Sequence, residues 1–310
     1  MALNYAEVWS PDLLEIMEQE SLTSPFVTTA VKWLSAKTFH FTQMSTSGYK
    51  SHSRLGGWNK GTFAQTDVPF TLTHDRDIQF MIDKIDVDET NETASIKNIS
   101  EVFHKTQQIP EMDAYFYSKV ATEAQKLDGY HSSTALSSYT KENVYGKLKA
   151  MLSAGKLRRY VAKGALIAYV NFTIMDLLEQ STDFTRKIEM TQIAEGGIGI
   201  ETRITDIDGV TLIEVIDDER FYDKFDFTDG FAPVASTSHK INVLIASPLT
   251  VKTVPKIASI YYFNPGQHTE GDGYLYQDRS LSDTFVFPNG KDNKIDSIYV
   301  DVDTETYTAE

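Results

Sequence analysis

The stretch IPEMDAYFYSKVATEA, residues 109–124, decides the fold of this chain. Proline is favoured in the first turn of a helix and acidic residues there complement the helix dipole, so Pro110, Glu111 and Asp113 mark a helix start. The apolar residues that follow recur at spacings of three and four, which predicts one buried face: Met112, Phe116, Val120, Ala124 and Leu127. Residues 96–103 show the same spacing, and the two stretches together predict a long helical spine.

A long polar segment, residues 42–69, lies upstream of the spine. It is rich in Gly, Ser and Thr but keeps Tyr49, Trp58 and Phe63. Connections of this length are usually functional or disordered, and the interleaved aromatic residues favour a two-stranded hairpin that awaits a partner. Alternating apolar residues in 70–87 then predict a strand.

Downstream of the spine, helical and strand patterns follow one another. A basic helix is predicted from about Lys141 to Ala154, and an apolar run at 166–170 predicts a buried strand that leads into another helix. Residues 240–246 predict a further buried strand, with Ser247-Pro248 opening a short helix. The remaining predicted elements are strands at 257–263, 272–276, 284–287 and 295–302, turns at Gly196-Gly197 and Asp208-Gly209, and a helix that begins at Ser10-Pro11. The segregated order of helices and strands indicates the α+β class.

The composition excludes several classes of protein. The 310 residues include no cysteine, which rules out disulfides, thiolate metal sites and a cysteine nucleophile. The N-terminus lacks the positive charge and apolar core of a signal peptide. The longest strongly apolar stretch, residues 165–170, is far shorter than the ~20 residues of a membrane span, so we expect no membrane partner.

Charge is distributed unevenly along the chain. Residues 201–229 and 270–310 each hold 10 acids and 3 bases, and so account for −14 of the total charge of −15. One stretch is basic and is opposed only by Glu142: Lys141, Lys147, Lys149, Lys156, Arg158, Arg159 and Lys163. Separate acidic and basic faces can attract copies head to tail, although a solvated surface is the alternative. The acidic total argues against a reader of duplex DNA, which needs concentrated positive charge.

Six stretches, taken in order, carry a resemblance to a known family. They are FTLTHDRDIQFMIDKIDVDET (70–90), IPEMDAYFYSKVATEA (109–124), ALIAYVNFTIMDLLEQS (165–181), IDGVTLIEVIDDERF (207–221), INVLIASPLTVKTVPK (241–256) and DGYLYQDRSLSDTFVFPNGKDNKIDSIYV (272–300). Together with the loop before them, they resemble the tailed-bacteriophage major capsid proteins of the Hong Kong 97-type fold. The order of the stretches carries the resemblance, since no single stretch is specific.

The resemblance implies a domain organisation. We expect an N-terminal arm (1–41), an extended β-hairpin loop (42–81), a peripheral domain with the long spine helix (82–128 and 252–310) and an axial domain (129–251). The extended loop of the family lies across a neighbouring subunit.

The resemblance also implies a function: self-assembly of hexamers and pentamers into the icosahedral shell that encloses the phage genome. A procapsid would form at a portal vertex and expand as double-stranded DNA is packaged, in a virion assembled in the host cytoplasm. Because the helix-loop-strand series begins at once, we expect a separate scaffolding protein. No cofactor, metal or catalytic residue is implied.

Seven residues are candidate subunit contacts. An aromatic residue with flanking charge is a common hot-spot composition, which selects Lys50, Arg54, Trp58 and Lys60 in the loop. Packing of Trp58 inside its own hairpin is the alternative. In the basic stretch, Lys149, Arg158 and Arg159 would meet an acidic window of the next subunit. Some relatives crosslink a loop lysine to an asparagine, but no matching Asn or Glu is identifiable.

Other classes of function find less support. Asp86 and Asp88 match the D-x-D-x-T pattern of aspartyl-nucleophile phosphatases, but the preceding residues are too polar for the buried strand that this chemistry needs. Asp206, Asp208 and Gly209 lack the remaining ligands of a calcium loop and suit a turn. The seven histidines are scattered and no phosphate-binding or hydrolase motif occurs. A tail-tube or decoration protein stays open as a structural alternative.

Overall fold

The computed structural model describes residues 20–29, 33, 35, 37–52, 56–89, 96–161, 164–181, 188–191, 202–289 and 294–308. The predicted helix at Ser10, the turn at Gly196-Gly197, Arg54 and Lys163 lie outside these residues. The helices are α1 (Lys84–Glu89), α2 (Ile96–Phe103), α3 (Ile109–Gln125), α4 (Val144–Leu152), α5 (Arg158–Val161) and α6 (Phe172–Glu179), with a π-helical turn at His104–Gln108 and 3-10 turns at Ser24–Phe26, Leu136–Ser138 and Asp218–Arg220.

Within the described residues, the strands form one large sheet and three small ones. They are β1 (Thr38–Thr46), β2 (Phe63–Thr71), β3 (His74–Asp83), β4 (His131–Ser133), β5 (Ile167–Asn171), β6 (Ile188–Thr191), β7 (Thr202–Ile207), β8 (Val210–Val215), β9 (Phe225–Asp226), β10 (Ala232–Pro233), β11 (His239–Ala246), β12 (Val251–Phe263), β13 (Gly273–Val286) and β14 (Ile298–Thr306). The large sheet has the order β4-β14-β11-β5-β8-β7-β6, and a three-stranded sheet has the order β12-β13-β3. The class is α+β, as predicted.

The large sheet separates two hydrophobic cores. Alternate residues of a strand point to opposite faces, so Val243 and Ile245 of β11 enter one core and Leu244 and Ala246 enter the other. The first core is covered by α4, α5 and α6. The second is covered by α3 and by Phe26 from the N-terminal segment.

The predicted spine is confirmed, but its two predicted helices are joined into one continuous helical segment, so no separate helix starts at Pro110. α2 runs through the π-helical turn into α3, and Pro110 lies in the first turn of α3. Burial extends around α3 more widely than predicted, because Tyr115 and Tyr117 are buried beside Phe116. Met112, predicted to be in the core, is 38% exposed instead.

An ion pair lies buried where the spine meets two distant segments. The Arg220 guanidinium donates to Asp113 Oδ2 at 3.1 Å, and both side chains are at most 1% exposed. Thr23 Oγ1 donates to Asp113 Oδ1 at 2.7 Å, and Ser21 Oγ donates to the same oxygen at 2.9 Å. Asp113 therefore holds the N-terminal segment and the turn around Arg220 against the spine.

Some predictions from the sequence were wrong. Ser247-Pro248 opens a single turn, in which Val251 N–H donates to Ser247 O at 2.9 Å, before the chain enters β12. The β-branched residues Val251, Thr253 and Val254 favour this strand over the predicted helix. Residues 84–87, predicted as strand, begin α1.

The predicted C-terminal strands are longer and paired differently from the expectation. The strands predicted at 272–276 and 284–287 are parts of one 14-residue strand, β13. The last strand, β14, pairs with β11 and β4 in the large sheet, so segment 252–310 contributes to both the seven-stranded and the three-stranded sheet.

We predict that Arg220→Ala lowers the free energy of unfolding by about 3–5 kcal/mol, because it leaves the buried carboxylate of Asp113 without its cation. Denaturant unfolding of the isolated subunit measures this. Lys126→Ala, which removes a surface ion pair with Glu123, is the control and should change stability by at most about 1 kcal/mol. Equal losses in the two variants would contradict the assigned role of Arg220.

Candidate assembly interface

A two-stranded hairpin, β1 and β2, projects from the base of the three-stranded sheet. The strands pair continuously from Thr38–Thr71 to Thr46–Phe63, and they form a sheet of only two strands. An isolated hairpin is marginally stable in water. Its base and its tip therefore need separate explanations.

The base of the hairpin is anchored by aromatic packing. Phe39 of β1 is fully buried, stacks on Phe70 at 5.6 Å between ring centroids, and meets Phe285 edge-on at 5.2 Å. Leu72 and Phe287 complete this cluster. The described residues thus fix the point from which the hairpin leaves the subunit.

Charged groups reinforce this anchor. Asp75, just after the hairpin, accepts from Arg279 Nη2 at 3.0 Å and from Lys37 Nζ at 2.9 Å. These two cations, Arg279 first, lower the pKa of Asp75 to about 2. The network therefore keeps Asp75 ionised. Because the carboxylate is solvent-exposed, these ion pairs contribute little to the stability of the subunit.

A buried carboxylate, Asp283, joins the hairpin to the spine. Its Oδ2 accepts from Thr73 N–H at 2.9 Å and from Thr73 Oγ1 at 2.8 Å, directly after β2. Its Oδ1 accepts from the hydroxyl of Tyr115 on α3 at 2.8 Å. Burial, followed by the nearby charge of Asp283, raises the pKa of Tyr115 well above its ordinary value.

The tip of the hairpin has little packing within its own subunit. Trp58 is 94% exposed, Tyr49 is fully exposed, and the ring centroids of Trp58 and His52 lie 6.4 Å apart. The alternative in which Trp58 packs inside its own hairpin is therefore wrong. Large apolar groups left in water at the end of a fixed arm are typical of an interaction site.

The structure places three of the four predicted loop contacts together at this tip. Lys50 Nζ donates to Lys60 O at 3.3 Å, which brings both lysines beside the Trp58 segment. Asn59 Nδ2 donates to Ser51 O at 2.9 Å and closes the loop. Arg54, the fourth predicted contact, lies outside the described residues.

The three predicted contacts of the basic stretch have partners in their own chain. Lys149 Nζ and Arg158 Nη2 lie 3.3 and 3.5 Å from Asp208 Oδ2, and Arg159 Nη1 lies 3.6 Å from Asp296. Hydrogen bonding to Tyr145 and then to Asp208 raises the pKa of Lys149. An intersubunit role for these bases stays a prediction.

Two motifs considered for other chemistry have structural explanations. Asp208, with φ of 53°, and Gly209 form the turn between β7 and β8, closed by Gly209 N–H donating to Asp206 at 2.7 Å. Asp86 and Asp88 lie on α1, after a strand that pairs antiparallel with β13. These two residues therefore do not follow the buried parallel strand that an aspartyl phosphatase needs.

Sequence reasoning missed a recurring arrangement of buried carboxylates that accept from tyrosine hydroxyls. Tyr139 donates to Asp301 at 2.7 Å and Tyr160 donates to Asp296 at 2.6 Å, as Tyr115 does to Asp283. Aspartate and tyrosine are ordinarily assigned to the surface, and no local spacing indicates partners more than 130 residues apart. Only the alternation of Asp301 and Asp303 within an apolar strand could have suggested burial.

The fold defines a class of protein. The chain has the Hong Kong 97-type fold of phage capsid structures, and its resemblance to tailed-phage major capsid proteins is confirmed at the level of fold. In the described residues, no helix is both long and apolar enough to cross a membrane.

Individual solved structures give the extent of the likeness. The bacteriophage PhiM1 mature capsid matches 98% of this chain and 93% of its own, with a TM-score of 0.64 and 12% identity. The capsid of the cyanophage P-SCSP1u matches 97% and 94%, with a TM-score of 0.62 and 11% identity. A structure from Mycobacterium phage Che8 covers 96% of each chain, with a TM-score of 0.55 and 14% identity. No protein-family model and no curated protein matches the sequence.

We predict that the subunit loses stability at alkaline pH through Tyr115. Its pKa is raised in the folded state, so this contribution is complete below the unfolded value of 10.0 and is lost as pH rises beyond it. Denaturant unfolding at a series of pH values measures the effect. Tyr115→Phe should be less stable at neutral pH, where Asp283 loses a donor, but should lose less on going to high pH. Identical alkaline slopes would contradict the prediction.

Proposed function

We propose that this chain is the major capsid protein of a tailed bacteriophage and builds the icosahedral head shell of the virion. The observation that carries the proposal is the hairpin, whose base is buried in its own subunit while its aromatic, basic tip is exposed. An element of this kind gains its packing from another copy. The near-full-length likeness to phage capsid structures supports the same function.

The proposed role is structural and needs no turnover. A shell repeats one modest set of contacts many times, so weak single interfaces suffice for a stable container. The hairpin would lie across a neighbour within hexamers and pentamers, with Lys50, Arg54, Trp58 and Lys60 as contacts. Lys149, Arg158 and Arg159 would contribute on the axial side.

The assembly route belongs to the same proposal. Subunits would assemble in the host cytoplasm on a separate scaffolding protein, at a portal vertex, into a procapsid that expands as DNA is packaged. The net charge of −15 suits a surface that encloses DNA and does not read its sequence. The arm, loop, peripheral and axial boundaries given above complete the proposed organisation.

Electron microscopy of the purified chain at rising protein concentration tests the proposal. Closed shells, or rings of five and six subunits, are the expected result. Tubes would favour a tail protein. Uniform monomers, or shells formed equally well by a chain that lacks residues 47–62, would contradict the proposal.

We predict that Trp58→Ala raises the concentration needed for assembly about 30-fold, since an interfacial tryptophan contributes about 2 kcal/mol or more. Light scattering during assembly measures this. Because Trp58 is 94% exposed in the subunit, unfolding stability should change by at most about 0.5 kcal/mol. Trp58→Phe keeps an aromatic ring, so the concentration it needs for assembly should lie between those of the original chain and Trp58→Ala. Assembly of Trp58→Ala at the original concentration would contradict a contact role.

A further inference from the structure

A groove with a cavity volume of about 640 Å³ lies beside the spine of each subunit. Its walls come from β3, from β13, from the spine between Phe103 and Met112, and from the loop at 228–230. The volume falls in the range of roughly 300–1,000 Å³ that is usual for binding sites. None of its lining residues belongs to the hairpin.

The lining of the groove is both apolar and acidic. Phe80, Phe103 and Met112 supply the apolar surface. Three of its carboxylates stand against one guanidinium, that of Arg76: Glu111, Asp229 and Asp278. Asp75 and Asp77, which also line the groove, alternate with Arg76 and Ile78 along β3, so their side chains point to the opposite face of the sheet, where Asp75 pairs with Arg279 and Lys37. Arg76 is already engaged, because its Nε lies 2.6 Å from Glu111. The groove therefore keeps an excess of negative charge.

The hairpin tip has the complementary composition. Residues 42–66 contain three bases and no acid, in a chain whose net charge is −15. The exposed Trp58 and Tyr49 lie among these bases. An indole flanked by ammonium groups fits an apolar floor with a carboxylate rim, since complementary charge steers and orients such contacts.

The tip does not occupy the groove of its own subunit. Trp58 is 94% exposed, and the hairpin leaves the subunit as an extended pair about 30 Å long at ~3.3 Å per residue. The donor and the acceptor are therefore separate surfaces of one molecule. A contact of this type is heterologous and builds rings when its rotation closes.

We propose that the hairpin tip of one subunit docks in the acidic groove of a second copy, with Trp58 on the apolar floor and Lys50 and Lys60 facing the carboxylates. The proposal rests on the proposed function and names the acceptor surface for the hairpin. Asp229 is an exposed carboxylate of this rim. It is the acceptor we assign to the lysines.

Charge reversal tests the pairing. Lys60→Glu and Asp229→Lys should each reduce the assembled fraction about tenfold or more, and the double variant should return to within about twofold of the original. Asp128→Lys reverses an exposed acid outside the groove and should neither impair assembly nor rescue Lys60→Glu. Rescue by Asp128→Lys as strong as rescue by Asp229→Lys would overturn the pairing, because it would reflect net charge alone.

Disulfide trapping tests the contact directly, because the chain contains no cysteine of its own. Asn59→Cys in the tip and Thr228→Cys in the groove are placed in separate chains, which are mixed, assembled and oxidised. A covalent dimer between the two variants on a non-reducing gel is expected. Ser137→Cys, at an exposed position outside the groove, replaces Thr228→Cys in the control and should give no such dimer.

The outcomes separate the two proposals. If the unsubstituted chain forms neither shells nor rings, the proposed function fails. If shells form without a bond between positions 59 and 228 and without rescue by Asp229→Lys, the function stands and the groove assignment is overturned.

Discussion

The structure depends on one buried carboxylate, Asp113 on the spine helix. A charge removed from water is tolerated only where a counter-ion and hydrogen-bond donors replace the lost hydration, and Arg220, Ser21 and Thr23 do so here. These partners lie about a hundred residues away on either side along the chain. The spine can thus be buried at this point only when the N-terminal segment and the 3-10 turn around Arg220 are in place.

The spine in turn positions the hairpin that we propose as the assembly element. Tyr115 of α3 meets Asp283, and Asp283 holds Thr73 at the end of the hairpin. Aromatic packing around Phe39 fixes the direction in which the hairpin leaves. The base of the hairpin is therefore anchored in its own subunit, while Trp58 and Tyr49 at its tip are exposed to solvent. Rigid anchoring lowers the entropy lost when the tip docks.

Local periodicity predicted much of the fold, and long-range pairing was beyond its reach. The 3.6-residue repeat of 109–124 and the apolar run at 240–246 correspond to α3 and β11. The polar stretch 277–283 interrupted the strand pattern, yet its backbone pairs on both sides in the centre of the three-stranded sheet. Cross-strand hydrogen bonds impose this strand, and single-sequence propensity contains no such term.

Of the proposed contact between subunits, only the hairpin tip could be predicted from the sequence. Exposed aromatic and basic residues in a long loop indicated the tip from composition alone. The groove that we propose as the acceptor could not be identified, because it is assembled from β3, β13, the spine and residues 228–230, which are far apart in the chain. The own-chain partner of Lys149 and Arg158, Asp208, was likewise hidden by sequence distance.

The π-helical turn at His104–Gln108 has a consequence for how the spine contacts its two neighbours. A wide turn accommodates one extra residue, which rotates the side chains after it by about 100° relative to those before it. Phe103, before the turn, packs on Phe80 of the three-stranded sheet, whereas Phe116 and Val120, after it, enter the core beneath the seven-stranded sheet. The one helical segment therefore packs on the three-stranded sheet with one face and on the core beneath the seven-stranded sheet with another. Restoring a regular α-helix at 104–108 would rotate one of these contact faces relative to the other and misalign the two sheets.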